Sequence, residues 1–197
     1  MTPYKITNEK KEIYGKTLYR IELTEDCKWG KKGTLGGFIE STANLIEDAW
    51  VSGNALVYGN ALVSGNAQVS GNAQVYEDAQ VYEDALVYGN AQVYGNSRVS
   101  GNARVYGNSQ VYRNAQVYGD ALVSGNARIG KTSDYMTISS LGETSRTITI
   151  TFSDKMISAG CFRGTLEEFK TAVDKKYQGR SNYYPTADYI EVLFDKC

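Results

Sequence analysis

From residue 39 to residue 129 one aliphatic side chain returns every six positions: Ile39, Leu45, Val51, Val57 and onward to Val123 and Ile129, sixteen without an insertion. Two residues before each, from Ala43 to Ala127, stands a small residue, alanine except at Ser97 and Ser109. A small-x-aliphatic triplet has the two-residue period of a β-strand, so both side chains face the same way and their neighbours face the other. The next two positions are mostly Gly-Asn, which tolerate positive φ and turn the chain. Strands this short, with corners of about two residues, leave no room to reverse as hairpins. They predict a coil that bends in one sense at every corner, three hexads to a turn. Successive turns then pair as parallel strands about 4.8 Å apart, so the array predicts about five coils and a prism about 25 Å tall. At about 1.5–3 kcal/mol per buried valine one coil is unstable alone and a stack is stable. An amphipathic helix is the rival reading. Glycine and asparagine in most hexads, with β-branched valine as the main apolar residue, argue against it.

An aliphatic residue at one position and a small residue four later resembles the hexapeptide repeat of left-handed parallel β-helices. The left hand is implied by that resemblance and not by the spacing. The flanks, KKGTLGGFIESTANLIEDAWV (31–51) and ISAGCFRGTLEEFKTAV (157–173), resemble parts of uncharacterised hexapeptide-repeat proteins of phages and prophages. Those are often labelled acyltransferases or polymer-forming proteins by repeat similarity alone. The expected organisation is mainly β: an N-terminal β cap (1–38), a left-handed parallel β-helix (39–130) and a C-terminal α+β domain (131–197).

Taking every eighteenth residue turns the array into columns. One outward column reads Glu40, Tyr58, Tyr76, Tyr94, Tyr112. The equivalent columns on the other two faces mix serine and tyrosine: Ser64, Tyr82, Ser100, Tyr118, and Ser70, Tyr88, Tyr106, Ser124. One corner carries Asn54, Asn72, Asn90, Asn108 and Asn126, a ladder that meets corner hydrogen-bonding needs. The tyrosine column has three readings: local stabilisation of the strands, an oligomer interface, or a platform for a stacked ligand. The Glu77-Asp78 and Glu83-Asp84 corners read as solubilising charge, and no metal site is expected.

At the N-terminal end, TLYRIEL (17–23) reads as a strand in a cap over the first coil, with Phe38 and Trp50 beneath it. Past residue 131, YMTIS, RTITITF and KMISAGCF read as three strands. Thr165-Leu-Glu-Glu168 is a capping box that opens a helix to about Lys176. TADYIEVLFDK reads as a second helix or a strand. The loop SSLGETSR (139–146) carries Ser139, Ser140 and Arg146, which together suit an anion, and Arg163 lies at the start of the helix. An ordinary hairpin turn and a surface arginine are the plainer alternatives.

The formal net charge of −1 gives no reason to expect a nucleic-acid polymer as partner. Three cysteines, odd in number and far apart, suggest a reducing compartment rather than a disulfide framework. The polar start and the lack of a long apolar run lead to the expectation of no signal peptide and no membrane span, hence a cytoplasmic location (the host cytoplasm for a phage-encoded protein). Hexapeptide acyltransferases and the related carbonic anhydrases depend on histidine, and this chain has none among its 197 residues. The expectation is therefore a non-catalytic binding protein without a cofactor. Its most concrete form is an oligomeric sponge that sequesters a small anionic nucleotide signal of host immunity, in clefts between chains or beside the C-terminal domain. Arg98, Arg104, Arg128, Arg146 and Arg163 are candidates to hold phosphate, and the tyrosines to stack a base. The alternative is a structural or protein-interaction scaffold; acyl transfer is the least favoured reading. Self-association as a trimer, rather than a dimer, is what the β-helix resemblance implies.

Overall fold

A computed structural model describes residues 2–141, 146–178 and 183–195. Residues 50–129 form two-residue strands at six-residue intervals, from Trp50–Val51 to Arg128–Ile129. They stack into three parallel walls. The first wall runs through Leu56–Val57, Gln74–Val75, Gln92–Val93, Gln110–Val111 and Arg128–Ile129; the second holds residues 50–51, 68–69, 86–87, 104–105 and 122–123; the third holds 62–63, 80–81, 98–99 and 116–117. Strand partners are eighteen residues apart, as where Val93 pairs with Val75 on one side and Val111 on the other. The result is a β-solenoid of about five turns, the period-two triplet having turned valine and alanine into a closed interior. Val75, Val93, Ala73 and Ala91 are fully buried.

The coils are joined with a fixed polarity at the positions flanking each aliphatic residue. Leu56 N donates to Ala73 O (2.9 Å) and Tyr58 N to Val75 O (3.1 Å); at the corner, Asn54 N donates to Gly71 O (2.8 Å). These N–H groups all point toward the C-terminal end, so the first coil is left with orphan carbonyls and the last with orphan N–H groups. Corner glycines lie near φ +65 to +73°, and Glu77, Glu83 and Arg113 adopt φ +59 to +61° at the same position.

The first coil departs from the pattern. A 3-10 turn at Thr42–Asn44 leaves Ala43 exposed and puts Asn44 inside instead. The amide is affordable there because it is fully used: Nδ2 donates to Gly59 O (3.0 Å) and Ala61 O (2.9 Å), and Oδ1 accepts from Ser41 N (2.9 Å).

Strands β1 (Tyr4–Ile13) and β2 (Lys16–Leu23) form an antiparallel hairpin, and β2 pairs with β3 (Leu35–Ile39), which joins the first wall. The hairpin extends that wall and packs on its outer face, where Leu18, Phe38, Leu56 and Tyr58 are buried together against Ile13 and Tyr76. Trp50 is buried with the solenoid core. The N-terminal segment also supplies donors to the first coil. Tyr4 Oη reaches Leu45 O (3.0 Å), Thr2 N reaches Glu47 O (2.6 Å) and Arg20 Nη1 reaches Gly53 O (3.2 Å).

The far end is closed with the opposite chemistry. Gln116 N finds Thr132 Oγ1 (3.1 Å), Tyr118 N finds Tyr135 Oη (3.3 Å), Leu122 N finds Thr149 Oγ1 (2.8 Å) and Arg128 N finds Ser153 Oγ (2.8 Å). Gly130 N is taken by Asp134 Oδ2 (2.8 Å). These acceptors belong to a C-terminal unit with an antiparallel sheet of Tyr135–Leu141, Arg146–Thr151, Met156–Ala159 and Phe162–Gly164. Helices α1 (Leu166–Tyr177) and α2 (Tyr183–Asp195) complete it, and Ile148, Ile150, Ile157, Phe169, Val173 and Ile190 form its own core. The capping box at α1 is closed both ways, Glu168 N to Thr165 Oγ1 (3.3 Å) and Thr165 N to Glu168 Oε2 (2.8 Å). The last segment, readable from sequence as helix or strand, is helical; Pro185 falls in its first turn, where a missing N–H is harmless.

Candidate functional site

The outward column of the first wall becomes a continuous stack of rings. Centroids of Tyr58 and Tyr76 are 5.2 Å apart, of Tyr76 and Tyr94 4.9 Å, and of Tyr94 and Tyr112 5.5 Å, with planes within 15° of parallel. The spacing is that of the coils, so the backbone sets it and the rings cannot spread independently. Tyr76 and Tyr94 each have a ring against both faces. A planar base has no space between them, and the ladder presents edges and hydroxyls. Beside it runs a glutamine column, Gln74, Gln92 and Gln110, in which Gln110 Nε2 donates to Gln92 Oε1 (3.4 Å). Burial pushes the Tyr58 phenol up to about 12 and raises that of Tyr76 further, with the neighbouring phenols and Glu77 adding to both. These rings are neutral at physiological pH.

Two arginines close the foot of the ladder. The guanidinium of Arg113 lies 5.4 Å from the centroid of Tyr112 and that of Arg128 lies 5.9 Å from it. On the second wall Tyr88 and Tyr106 stack at 4.9 Å between Ser70 and Ser124; on the third, Tyr118 meets Tyr135 edge-on at 6.5 Å.

The arginines expected to gather around an anion are spread out. Arg128 stands on the first wall, Arg104 on the second and Arg98 on the third. Arg163 ties the C-terminal unit to the solenoid: Nε donates to Ser124 Oγ (2.8 Å), and Nη2 to Ser124 O (3.3 Å) and Asp154 Oδ2 (3.0 Å). Ser139 Oγ is 3.3 Å from Thr147 Oγ1. The side chains of Ser140 and Arg146, with loop residues 142–145, lie outside the described residues. Where the two units meet, a cleft of about 400 Å³ is lined by Arg104, Asn102, Asp120, Leu122, Thr147 and Cys161. Sequence reasoning chose Arg104 but not its companions, because Thr147 and Cys161 come from a sheet whose docking no periodicity reports.

The acidic corners do more than solubilise. Asp78, Asp84 and Asp120 accept from Asn60 (2.9 Å), Asn66 (3.1 Å) and Asn102 (3.0 Å) in the preceding coil, and Glu83 accepts from Gly101 N (2.5 Å). The signal was present in the sequence as an Asn–Asp offset of eighteen. Among the described residues no three of His, Cys, Asp or Glu gather as a metal site, and no helix is long and apolar enough to cross a membrane.

The repeat is similar to the YdcK beta solenoid repeat, whose family model matches residues 49–65, 57–71, 67–83, 79–95, 97–113 and 115–131. No curated protein matches the chain in sequence.

Proposed function

We propose that the protein is a non-catalytic interaction scaffold whose tyrosine–glutamine wall is a protein-contact surface. The observation that carries this reading is the stacked ladder of Tyr76, Tyr94 and Tyr112 beside Gln74, Gln92 and Gln110. The stacked column is rigid before any partner arrives, so little side-chain entropy remains to be lost on contact. Tyrosine is enriched at interface centres for the same reason. The solenoid interior is filled by valine and alanine, so binding falls to the walls and the ends. A sequence without histidine supports the absence of acyltransferase chemistry. The test is tyrosine footprinting in cells against dilute purified protein. Tyr76, Tyr94 and Tyr112 should be protected in cells while Tyr14 (91% exposed) and Tyr189 are labelled equally in both. Equal labelling of the ladder in the two settings overturns the reading.

The cleft beside Arg104 favours a second reading, a small anionic ligand held by the guanidinium and the Thr147 hydroxyl. In this form the protein is the nucleotide sponge, with its site at the junction of the two units. Asp120 on the same rim weakens the case. Native mass spectrometry of protein from infected cells should show a bound nucleotide, lost in Arg104→Ala; an empty cleft in both removes this reading.

A further inference from the structure

The tyrosine wall carries charge in a pattern that reverses sign about its middle coil. Three successive coils read Gln74-Val-Tyr-Glu77, Gln92-Val-Tyr-Gly95 and Gln110-Val-Tyr-Arg113. The walls put these residues in register, so one corner column holds an acid one coil above Tyr94, glycine level with it and a base one coil below. Both charged side chains are beside the ladder. Glu77 directly follows Tyr76 in the chain and adds to the burial that raises the phenols of Tyr58 and Tyr76, and Arg113 lies 5.4 Å from the Tyr112 ring.

We propose that two copies of this chain pair wall to wall and antiparallel, about a two-fold axis level with Tyr94 and lying across the solenoid. The inference rests on reading the wall as a protein-contact surface, and names its occupant as a second copy. Such an axis inverts height and keeps lateral position. Glu77 therefore faces Arg113 of the partner subunit, and Arg113 faces Glu77 of the partner subunit. Gln92 and Tyr94 meet their own equivalents, and Tyr76 meets Tyr112 of the partner subunit. Glu77 and Arg113 of this corner column then each find their opposite and Gly95 meets its own equivalent, while Lys131 at the foot of the column faces Gly59 of the partner subunit. A parallel two-fold along the solenoid sets the Glu77–Arg113 column against the Asn72–Asn90–Asn108 edge and pairs none of these charges. The shared wall is about five coils, or ~24 Å, tall, a small interface, so association is weak and concentration-dependent.

The experiment is sedimentation equilibrium of the whole chain with charge-swap variants. This corner already accommodates both residue types at positive φ, glutamate at 77 and arginine at 113, so the swaps leave the fold intact. Glu77→Arg and Arg113→Glu each turn two attractions into repulsions and should weaken dimerisation roughly tenfold, and the double swap should restore it. Gln92→Cys should give a disulfide-linked dimer under mild oxidation, and Gln110→Cys should not, in a background whose native cysteines are replaced by serine. A parent chain that is monomeric or trimeric at high concentration, a double swap as weak as the singles, or equal cross-linking at both positions overturns the proposal. A monomeric chain whose ladder is still protected in cells defeats this pairing and leaves the contact-surface reading standing. Loss of that protection defeats both.

Discussion

Thr149→Val removes one oxygen and almost nothing else. Thr149 is fully buried in the strand Arg146–Thr151, and its Oγ1 accepts from Leu122 N at 2.8 Å across the junction between sheet and solenoid. Valine has nearly the same shape and suits a strand, so packing is retained and only the acceptor goes. An N–H stranded in the interior costs about 1–3 kcal/mol. This one is partly buried, and the strand preference of valine returns a few tenths. A net loss of about 1–1.5 kcal/mol is expected, roughly a tenfold change in the local opening equilibrium. Because the solenoid is nearly one-dimensional, the loss should appear first at the last coil and not through the stack. Amide hydrogen exchange reads this directly. Leu122 should exchange about tenfold faster in Thr149→Val, while Arg128, held by Ser153 Oγ, changes little. Thr147→Val, two residues along and bonded only to Ser139 among the described contacts, should leave Leu122 unchanged. If Leu122 keeps its protection in Thr149→Val, or loses it equally in Thr147→Val, the hydroxyl closure of the last coil is not what shields it.

Asn44→Ala strips three hydrogen bonds from a buried position and should lower stability by about 2–4 kcal/mol in urea unfolding; a loss below ~0.5 kcal/mol would contradict the inward role assigned to the amide. Glu40 is held below the usual carboxylate range first by its hydrogen bond to Lys16 (2.8 Å), and also by Gly59 N. A depressed folded pKa gives stability that is full above the unfolded value and is lost as pH falls through the folded one. The urea midpoint should therefore drop more between about pH 5 and pH 3 in the parent than in Glu40→Gln, and equal drops would refute the assignment. The phenols of Tyr58 and Tyr76 are raised by burial, so their contribution is present below about pH 10 and fades as pH climbs toward the folded value. Absorbance at alkaline pH should show them ionising above the range of a free phenol, or only together with unfolding; ionisation near pH ~10 in folded protein would show the ladder to be open to water.

The middle of the molecule was legible because its information is local. A triplet of Ala-x-Val and a Gly-Asn corner state which way each side chain faces, and an eighteen-residue column follows by arithmetic, which is why Tyr58, Tyr76, Tyr94 and Tyr112 can be read from the sequence as one column and do stack as one. Asn44 shows where the arithmetic stops. The spacing put Ala43 inside, but a 3-10 turn shifted the inward position by one, and a hydrogen-bonded amide could occupy it where alanine was expected. Arg163 illustrates the harder case. Sequence context near a helix start suggested an anion, whereas the guanidinium is engaged by Ser124, thirty-nine residues away, and by Asp154. Partners of that kind are fixed by how the C-terminal sheet docks, which no repeat encodes. The Arg104 cleft was half-visible for the same reason, one lining residue lying on a column and others on strands and turns of independent register.

Because the opening coil is met by donors and the final coil by acceptors, the number of turns between them is free to change while the closures stay as they are. Removing residues 73–90 would rejoin each column to itself and leave both ends satisfied, giving a shorter prism with one tyrosine fewer on its first wall. Removing six residues would also keep valine inward, but it would swing the C-terminal unit by a third of a revolution and hand the lower tyrosines to a different face. Length in this protein is therefore quantised in eighteens, and insertions or deletions that respect that unit are the ones a lineage of such chains can accumulate without loss of fold.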